Sequence, residues 1–137
     1  MSTQSFHIKI FTPLGLVVDE VASELKLPTA VGEIGVLPMH ARYTGILGTG
    51  ILEYRDNSGA VKRYVISGGF ASFSESGITI LADSIDSKES ALDIEKLKGE
   101  KPALSKLLSD GNTASAEWMR AKERLARIES IESLLSR

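Results

Sequence analysis

Four basic residues near the end of the chain, in a stretch with helical spacing, are the first candidates for binding chemistry. They are Arg120, Lys122, Arg124 and Arg127. Arg120 and Arg124 stand four positions apart and therefore share one face of a helix, where they could clamp a phosphate or an acidic partner loop. Glu123 and Arg127 are also four apart and could pair with each other, which favours an ordinary solvated face. Both interpretations stay open.

The residue types that catalysis or metal binding needs are sparse. The two histidines, His7 and His40, have no partner at a metal-ligand spacing, and the chain contains no cysteine. The glycine-rich stretch 45–50 lacks the Lys-Ser/Thr pair of a phosphate-binding P-loop, and Ser67 is not in a Gly-x-Ser-x-Gly elbow. We therefore expect no catalytic residues and no metal site.

Composition narrows the class further. The 137 residues are 42% hydrophobic and 25% charged, with a net charge of −2, which is typical of a globular protein and gives no reason to expect nucleic-acid binding. No apolar run is long enough to span a bilayer, and the first ten residues lack the pattern of a secretory signal. We expect a soluble intracellular protein.

The chain divides into two parts of different composition, residues 1–86 and residues 87–137. Ten of the twelve glycines lie in the first part. That part shows short runs of period-two alternation, with Phe6, Ile8 and Ile10 on one face, and turn-forming residues at 56–59 between two runs. The other expected strands are runs at 16–18, 21–27 (with Val21, Leu25 and Leu27 on one face), 50–55, 60–66, 70–74 and 78–81, and a short buried strand at 34–37. They predict an antiparallel sandwich or barrel.

The second part changes to helical spacing. Its first apolar stripe consists of Ile94, Leu97, Leu104 and Leu108, with Lys101 in one missing place. Its second stripe consists of Trp118, Ala121, Leu125, Ile128 and Leu135, interrupted by Glu132. Two amphipathic helices in an antiparallel hairpin, meeting along a narrow seam, would bury both stripes. Because proline opposes a helix interior, we expect Pro102 to break or kink the first helix, or to begin a second segment.

Residues 32–41 resemble the signature of the epsilon subunit of rotary ATP synthases. Gly, a polar residue, an aliphatic residue, Gly, two apolar residues, Pro, any residue, His and Ala follow in that order. Residues 67–70 resemble the family's second element, a Gly-Gly-Phe that enters a strand. A β part followed by a helical hairpin matches the family's architecture, so the resemblance covers essentially the whole chain. Arg42, where the family often has proline, and Pro102 are local departures.

The resemblance implies a non-catalytic subunit of the central stalk, or rotor, of a proton-translocating ATP synthase. Its β-sandwich would contact the gamma subunit and the ring of c subunits and couple ring rotation to the catalytic head. Glu33, His40 and Arg42 would belong to that contact. The resemblance also implies no required cofactor, and a peripheral location on the cytoplasmic face of the bacterial inner membrane.

In this family the hairpin lies folded on the sandwich or extends into the catalytic head, where it inhibits ATP hydrolysis. The residues that would contact the alpha and beta subunits of the head, or ATP, are Asp93, Lys96, Arg120, Arg124 and Arg127. Lys96 stands where the family's ATP motif has arginine and lacks the planar fork that reads phosphate, so ATP binding at the hairpin would be weak. The alternative is a stand-alone β-sandwich ligand-binding module, with the helices capping an open edge and a mostly apolar pocket.

Overall fold

A computed structural model describes residues 5–37, 43–75, 77–88, 94–111 and 115–136. Seven strands are followed by two helices. The strands are β1 (Phe6–Thr12), β2 (Gly15–Thr29), β3 (Gly32–Val36), β4 (Tyr43–Ile46), β5 (Thr49–Asp56), β6 (Val61–Ser74) and β7 (Gly77–Asp86), and the helices are α1 (Ile94–Asp110) and α2 (Ala116–Leu135). The predicted β-sandwich followed by a helical hairpin is confirmed. Neither helix among the described residues is long and apolar enough to cross a membrane.

The strands form a ladder that closes on itself. Neighbouring strands follow the order β1–β7–β6–β5–β2, and β1 pairs with β2 as well. β3 pairs with the second half of β2, and β4 with the second half of β6. The pairing of β1 with β7 is parallel, and the other pairings are antiparallel. Closure removes most of the open edge that would otherwise attract other strands.

Two long strands cross from one layer of the sandwich to the other, which corrects the sequence interpretation. The runs predicted at 16–18 and 21–27 are one strand, β2, which continues through Pro28, and the runs at 60–66 and 70–74 are one strand, β6. In β2 the buried positions change from even to odd numbers between Ala22 and Leu25, where the register shifts. Ala22, and not Val21, therefore faces the core. A β-bulge of this kind hides the continuity of a strand from alternation alone.

In β6 the same change of phase occurs at Gly68 and Gly69. Ile66 and Ala71 are both buried although they are five positions apart, a spacing that places side chains on opposite faces of a regular strand. The two glycines have φ angles of +70° and +122°, which residues other than glycine rarely adopt. A methyl group at Gly69 would collide with the carbonyl oxygen of Leu81 and lie 2.9 Å from the Cα of Ala82. Glycine is therefore required where the strand changes layer.

The main core lies between the two layers and is independent of the helices. Its largest fully buried members come from β1, β2, β5, β6 and β7: Tyr54, Ile8, Ile10, Leu25, Leu27, Leu52, Ile66 and Ile80. Ile8 and Ile10 are buried and Phe6 packs against them, as predicted. The strand predicted at 34–37 is only half buried, because Val36 is covered whereas Leu37 is exposed.

Helix α1 runs without a break from Ile94 to Asp110 with Pro102 inside it, so the expected break is absent. Helix α2 begins after Ser115, whose side chain accepts a hydrogen bond from the backbone N–H of Trp118 at 3.0 Å. The indole N–H of Trp118 in turn donates to the carbonyl oxygen of Leu108 at 2.9 Å. These contacts satisfy polar groups at the ends of both helices and join the end of α1 to the start of α2.

The hairpin rests on the outer side of β5 and β6, opposite the main core. The contact is a small apolar cluster of Val65, Ile131 and Leu134, with Ile51, Ile94 and Leu97 packed around it. The sequence stripe is wrong in detail at this end of α2. Leu135 is exposed and Leu134 is fully buried, and Leu125 is only half buried. The buried face is rotated because α2 packs on the sandwich as well as on α1.

Replacing Gly69 with alanine should lower the free energy of unfolding by at least about 2 kcal/mol, because it combines an unfavourable φ with a backbone collision. Gly59→Ala is a matched control: its φ is +90° but a methyl group there meets nothing within 4 Å. Urea denaturation of both variants measures the difference. Equal losses in the two would contradict the close approach of β6 and β7 at Gly69.

Ile131→Asp should release the hairpin, because a carboxylate cannot stay in the apolar cluster without a partner. We expect trypsin to cleave the hairpin roughly tenfold faster in this variant. Leu125→Asp is the comparison, since Leu125 keeps access to water, and it should have a smaller effect. A larger effect of Leu125→Asp would contradict the observed seat of α2.

Candidate functional site

An apolar row crosses five strands on the outer face of the sandwich, away from the helices. The strand register places side by side Ile46 of β4, Phe70 of β6, Leu81 of β7, Phe11 of β1 and Leu16 of β2. Ile46 is 66% exposed and Leu81 is 51% exposed. Apolar side chains contiguous on a surface indicate a binding site for another protein, whereas single ones do not. We call these five residues the apolar row.

A polar row runs beside the apolar row, two residues away along β4, β6, β7 and β1 and three residues away along β2, where the register shifts. Its members, all exposed, are Thr44, Ser72, Thr79, Lys9 and Asp19. Asp19 is also bound to the ring of His7, and this hydrogen bond lowers the pKa of the Asp19 carboxyl. An apolar centre with polar side chains along its border is the usual anatomy of a protein interface.

A turn between β2 and β3 extends this surface beyond Ile46. The backbone N–H of Ala30 donates to the carbonyl oxygen of Ile46 at 3.0 Å, which holds the turn against the end of β4. Val31 at the tip of the turn is 92% exposed. Glu33, which follows on β3, is exposed, and its role in a partner contact stays a prediction. His40 and Arg42, predicted for the same contact, lie outside the described residues.

Two of the arginines predicted for binding are already engaged within the chain. Arg124 donates to both carboxylate oxygens of Glu100 on α1, at 2.8 and 3.2 Å. Arg127 donates through Nε and one terminal nitrogen to the two oxygens of Asp86, at 2.9 and 3.0 Å. Arg127 thus pairs with the last residue of β7 rather than with Glu123. This pairing departs from the solvated-face interpretation of the basic run.

The arginines of this cluster and their partners alter one another's pKa values at Glu100 and at Arg127. Hydrogen bonding from Arg124 lowers the pKa of the Glu100 carboxyl, and the nearby charges of Lys96 and Arg127 act in the same direction. The hydrogen bond to Asp86 raises the pKa of the Arg127 guanidinium. Both effects keep the partners charged, so the ion pairs are present throughout the neutral pH range.

Three of the five predicted hairpin residues therefore come together, namely Lys96, Arg124 and Arg127. Lys96 and Arg120 are exposed, and Asp93 lies outside the described residues. Asp86 and Glu100 are the partners that sequence reasoning missed. A phosphate would have to displace these two carboxylates to reach the arginines. In the described segments, no group of three His, Cys, Asp or Glu side chains could hold a metal ion.

The two polar interruptions in the helical stripes meet each other. The Nζ atom of Lys101 on α1 lies 2.8 Å from a carboxylate oxygen of Glu132 on α2. This hydrogen bond raises the pKa of Lys101. Each residue breaks the apolar pattern of its own helix, and comparing the two stripes could have found the pair. The ion pair thus helps to fix how α1 and α2 are aligned along each other.

Comparisons with known proteins identify relatives of both parts of the chain. The family described as "ATP synthase, Delta/Epsilon chain, beta-sandwich domain" matches residues 5–88. ATP synthase epsilon chains are similar over most of the length. That of Desulfitobacterium hafniense (strain DSM 10664 / DCB-2) is 33% identical over 126 residues, covering 88% of this chain and 94% of the relative. That of Solibacter usitatus is 36% identical over 129 residues, covering 89% and 94%.

Solved structures agree with the sequence relatives. A chain in the Euglena gracilis mitochondrial ATP synthase, from a cryo-EM structure of OSCP, F1 and the c-ring, superposes with a TM-score of 0.81 at 25% identity. The alignment covers 98% of this chain and 83% of that one. A chain from the central stalk and c-ring of the Tetrahymena thermophila mitochondrial ATP synthase shares the fold, with a TM-score of 0.68 at 13% identity.

Proposed function

This chain belongs to the family of ATP synthase epsilon chains, and we propose that it is a non-catalytic subunit of the central stalk that couples c-ring rotation to the catalytic head. The observation that carries the proposal is the likeness over both parts of the chain. The Euglena gracilis structure contains F1 and the c-ring, and we extend that assembly to this chain. The alternative, a ligand-binding module with helices that only cap an edge, does not account for the similarity of these relatives over the hairpin as well as the sandwich.

We propose that the apolar row binds the gamma subunit. The row spans β4, β6, β7, β1 and β2, so a partner lying across it contacts the whole layer and can transmit torque to a rigid sandwich. Because the layer is hydrogen-bonded along every strand pair of the row, a force at one side chain is shared by its neighbours. The polar row alongside provides hydrogen-bonding groups that fix the partner's orientation.

We assign the contact with the c-ring to the turn that contains Val31 and to Glu33. Both are exposed, and the turn is held against the end of the apolar row. His40 and Arg42 belong to this contact in the same proposal. The subunit would then lie at the membrane surface, on the cytoplasmic face of the bacterial inner membrane, as a peripheral part of the complex.

The division at residues 86 and 87 is part of the proposal. Residues 1–86 are the anchor, since they contain the apolar row and the main core, and residues 87–137 are a regulatory hairpin. We propose that the hairpin inhibits ATP hydrolysis when it extends toward the alpha and beta subunits, which Arg120 and Lys96 would contact first because both are exposed. The function requires no cofactor, and any ATP binding at the hairpin is weak because Asp86 and Glu100 occupy the arginines.

Phe70→Glu should weaken binding to the gamma subunit about thirtyfold, because Phe70 is the second of the five side chains of the row and its replacement puts a charge inside a desolvated contact. Titration calorimetry with purified gamma measures the change. Asn57→Glu adds the same charge on an exposed turn outside the row and should bind like the unmodified chain. Unchanged affinity of Phe70→Glu would contradict this assignment of the row.

The chain truncated after Ser87 should bind a catalytic head stripped of its own epsilon subunit as tightly as the whole chain does. Of the two forms, only the whole chain should slow ATP hydrolysis, because only it carries the hairpin. Binding and hydrolysis are measured for both forms. If neither form binds, the stalk proposal fails. If both forms slow hydrolysis equally, residues 88–137 are not the inhibitory element.

A further inference from the structure

The hairpin is attached to the sandwich by a contact of two different kinds. One is the apolar cluster, in which only Val65, Ile131 and Leu134 are buried among the described residues. The other is the ion pair of Arg127 with Asp86. The apolar cluster has fewer buried members than the main core, and the ion pair adds a polar contact between the hairpin and the sandwich.

The geometry of this ion pair is unusually favourable. Two nitrogens of the Arg127 guanidinium face the two oxygens of the Asp86 carboxylate, which is the paired arrangement that only arginine can make. Asp86 is 9% exposed. An exposed ion pair contributes little, but removal of one partner from a covered pair leaves a charge without compensation and is costly.

Its position separates it from the neighbouring ion pairs. Two other ion pairs, Arg124 with Glu100 and Lys101 with Glu132, join α1 to α2. They lie within the hairpin and not between the hairpin and the sandwich. Asp86 ends β7, immediately before the connection to α1, whereas Arg127 lies in the middle of α2. The hairpin cannot leave the sandwich without separating these two residues.

We propose that Asp86 and Arg127 form a latch that holds the hairpin on the sandwich. The effect of this latch in the complex rests on the proposed function, since it needs the hairpin to reach the catalytic head.

The test measures the position of the hairpin in the whole chain. Because the chain has no cysteine, spin labels can be placed at Asn57→Cys in the β5–β6 turn and Met119→Cys on α2, both exposed. All variants carry Ile131→Ala, which weakens the apolar contact so that docked and released hairpins are both populated. Distance distributions from pulsed electron spin resonance then give the ratio of the two.

Asp86→Asn and Arg127→Gln should each raise the released fraction relative to the docked one about tenfold, because each leaves a charge without its partner. The exchanged pair, Asp86→Arg with Arg127→Asp, should recover most of the docked population. Glu132→Gln is the control: it also removes a carboxylate from an ion pair of the hairpin, but its partner is Lys101 on α1 rather than a residue of the sandwich, and it should leave the ratio unchanged.

Two results would overturn the latch. One is a distance distribution that Asp86→Asn leaves unchanged, and the other is an equal shift in Glu132→Gln. A separate assay tests the role in the complex: Asp86→Asn should strengthen inhibition of ATP hydrolysis by the whole chain, since the hairpin is released more readily. If the distances shift and inhibition does not, the latch stands and the proposed inhibitory function fails.

Discussion

The change of phase in β6 at Gly68 and Gly69 is the constraint on which the two working surfaces depend. Before the glycines, Val65 points outward and receives the hairpin, while Ile66 points into the core. After them, Phe70 points outward into the apolar row, while Ala71 is in the core. One strand therefore supplies the seat of the hairpin on one layer and part of the partner surface on the other. Without a crossing strand, these surfaces would belong to separate sheets.

The balance of forces differs between the two parts. The sandwich is held by a continuous core with members from six strands, and burial of each large aliphatic side chain contributes about 1.5–3 kcal/mol. The hairpin is held on it by a smaller apolar cluster, whose buried members are Val65, Ile131 and Leu134, and by the ion pair of Arg127 with Asp86. The proposed function, with a rigid body that carries torque and an appendage that leaves it, needs such unequal stabilities, since mobile elements come from the less stable parts of a structure.

Much of the fold could be predicted from the sequence, because its signals are local. Apolar patterns predict the strands other than β4, turn-forming residues predict the 56–59 turn, and helical stripes predict both helices. The continuity of β2 and β6 could not be predicted, because alternation is interrupted where a strand changes layer. The apolar row could not be predicted either. Its members come from five strands, and only the register of pairing places Phe11, Leu81 and Phe70 next to one another.

The binding roles of the candidate site residues stay predictions. Glu33 is exposed, and Arg124 and Arg127 are each engaged with a carboxylate within the chain. The partners of the arginines depend on how the hairpin lies on the sandwich, which no local pattern encodes: Asp86 is separated from Arg127 by the whole of α1 and the turn. Pro102 shows the converse, since the interior of α1 tolerates a residue that local propensity disfavours.

The central claim is that the outer face of the sandwich carries the rotor partner. Photo-crosslinking from position 70 tests it most directly, with a benzophenone amino acid in place of Phe70 in the chain assembled with the gamma subunit and the c-ring. The account predicts a crosslink to the gamma subunit, and none when the same group replaces Asn57. No crosslink from position 70, with one from position 57, would contradict the account. It would mean that the apolar row does not face the gamma subunit in the complex.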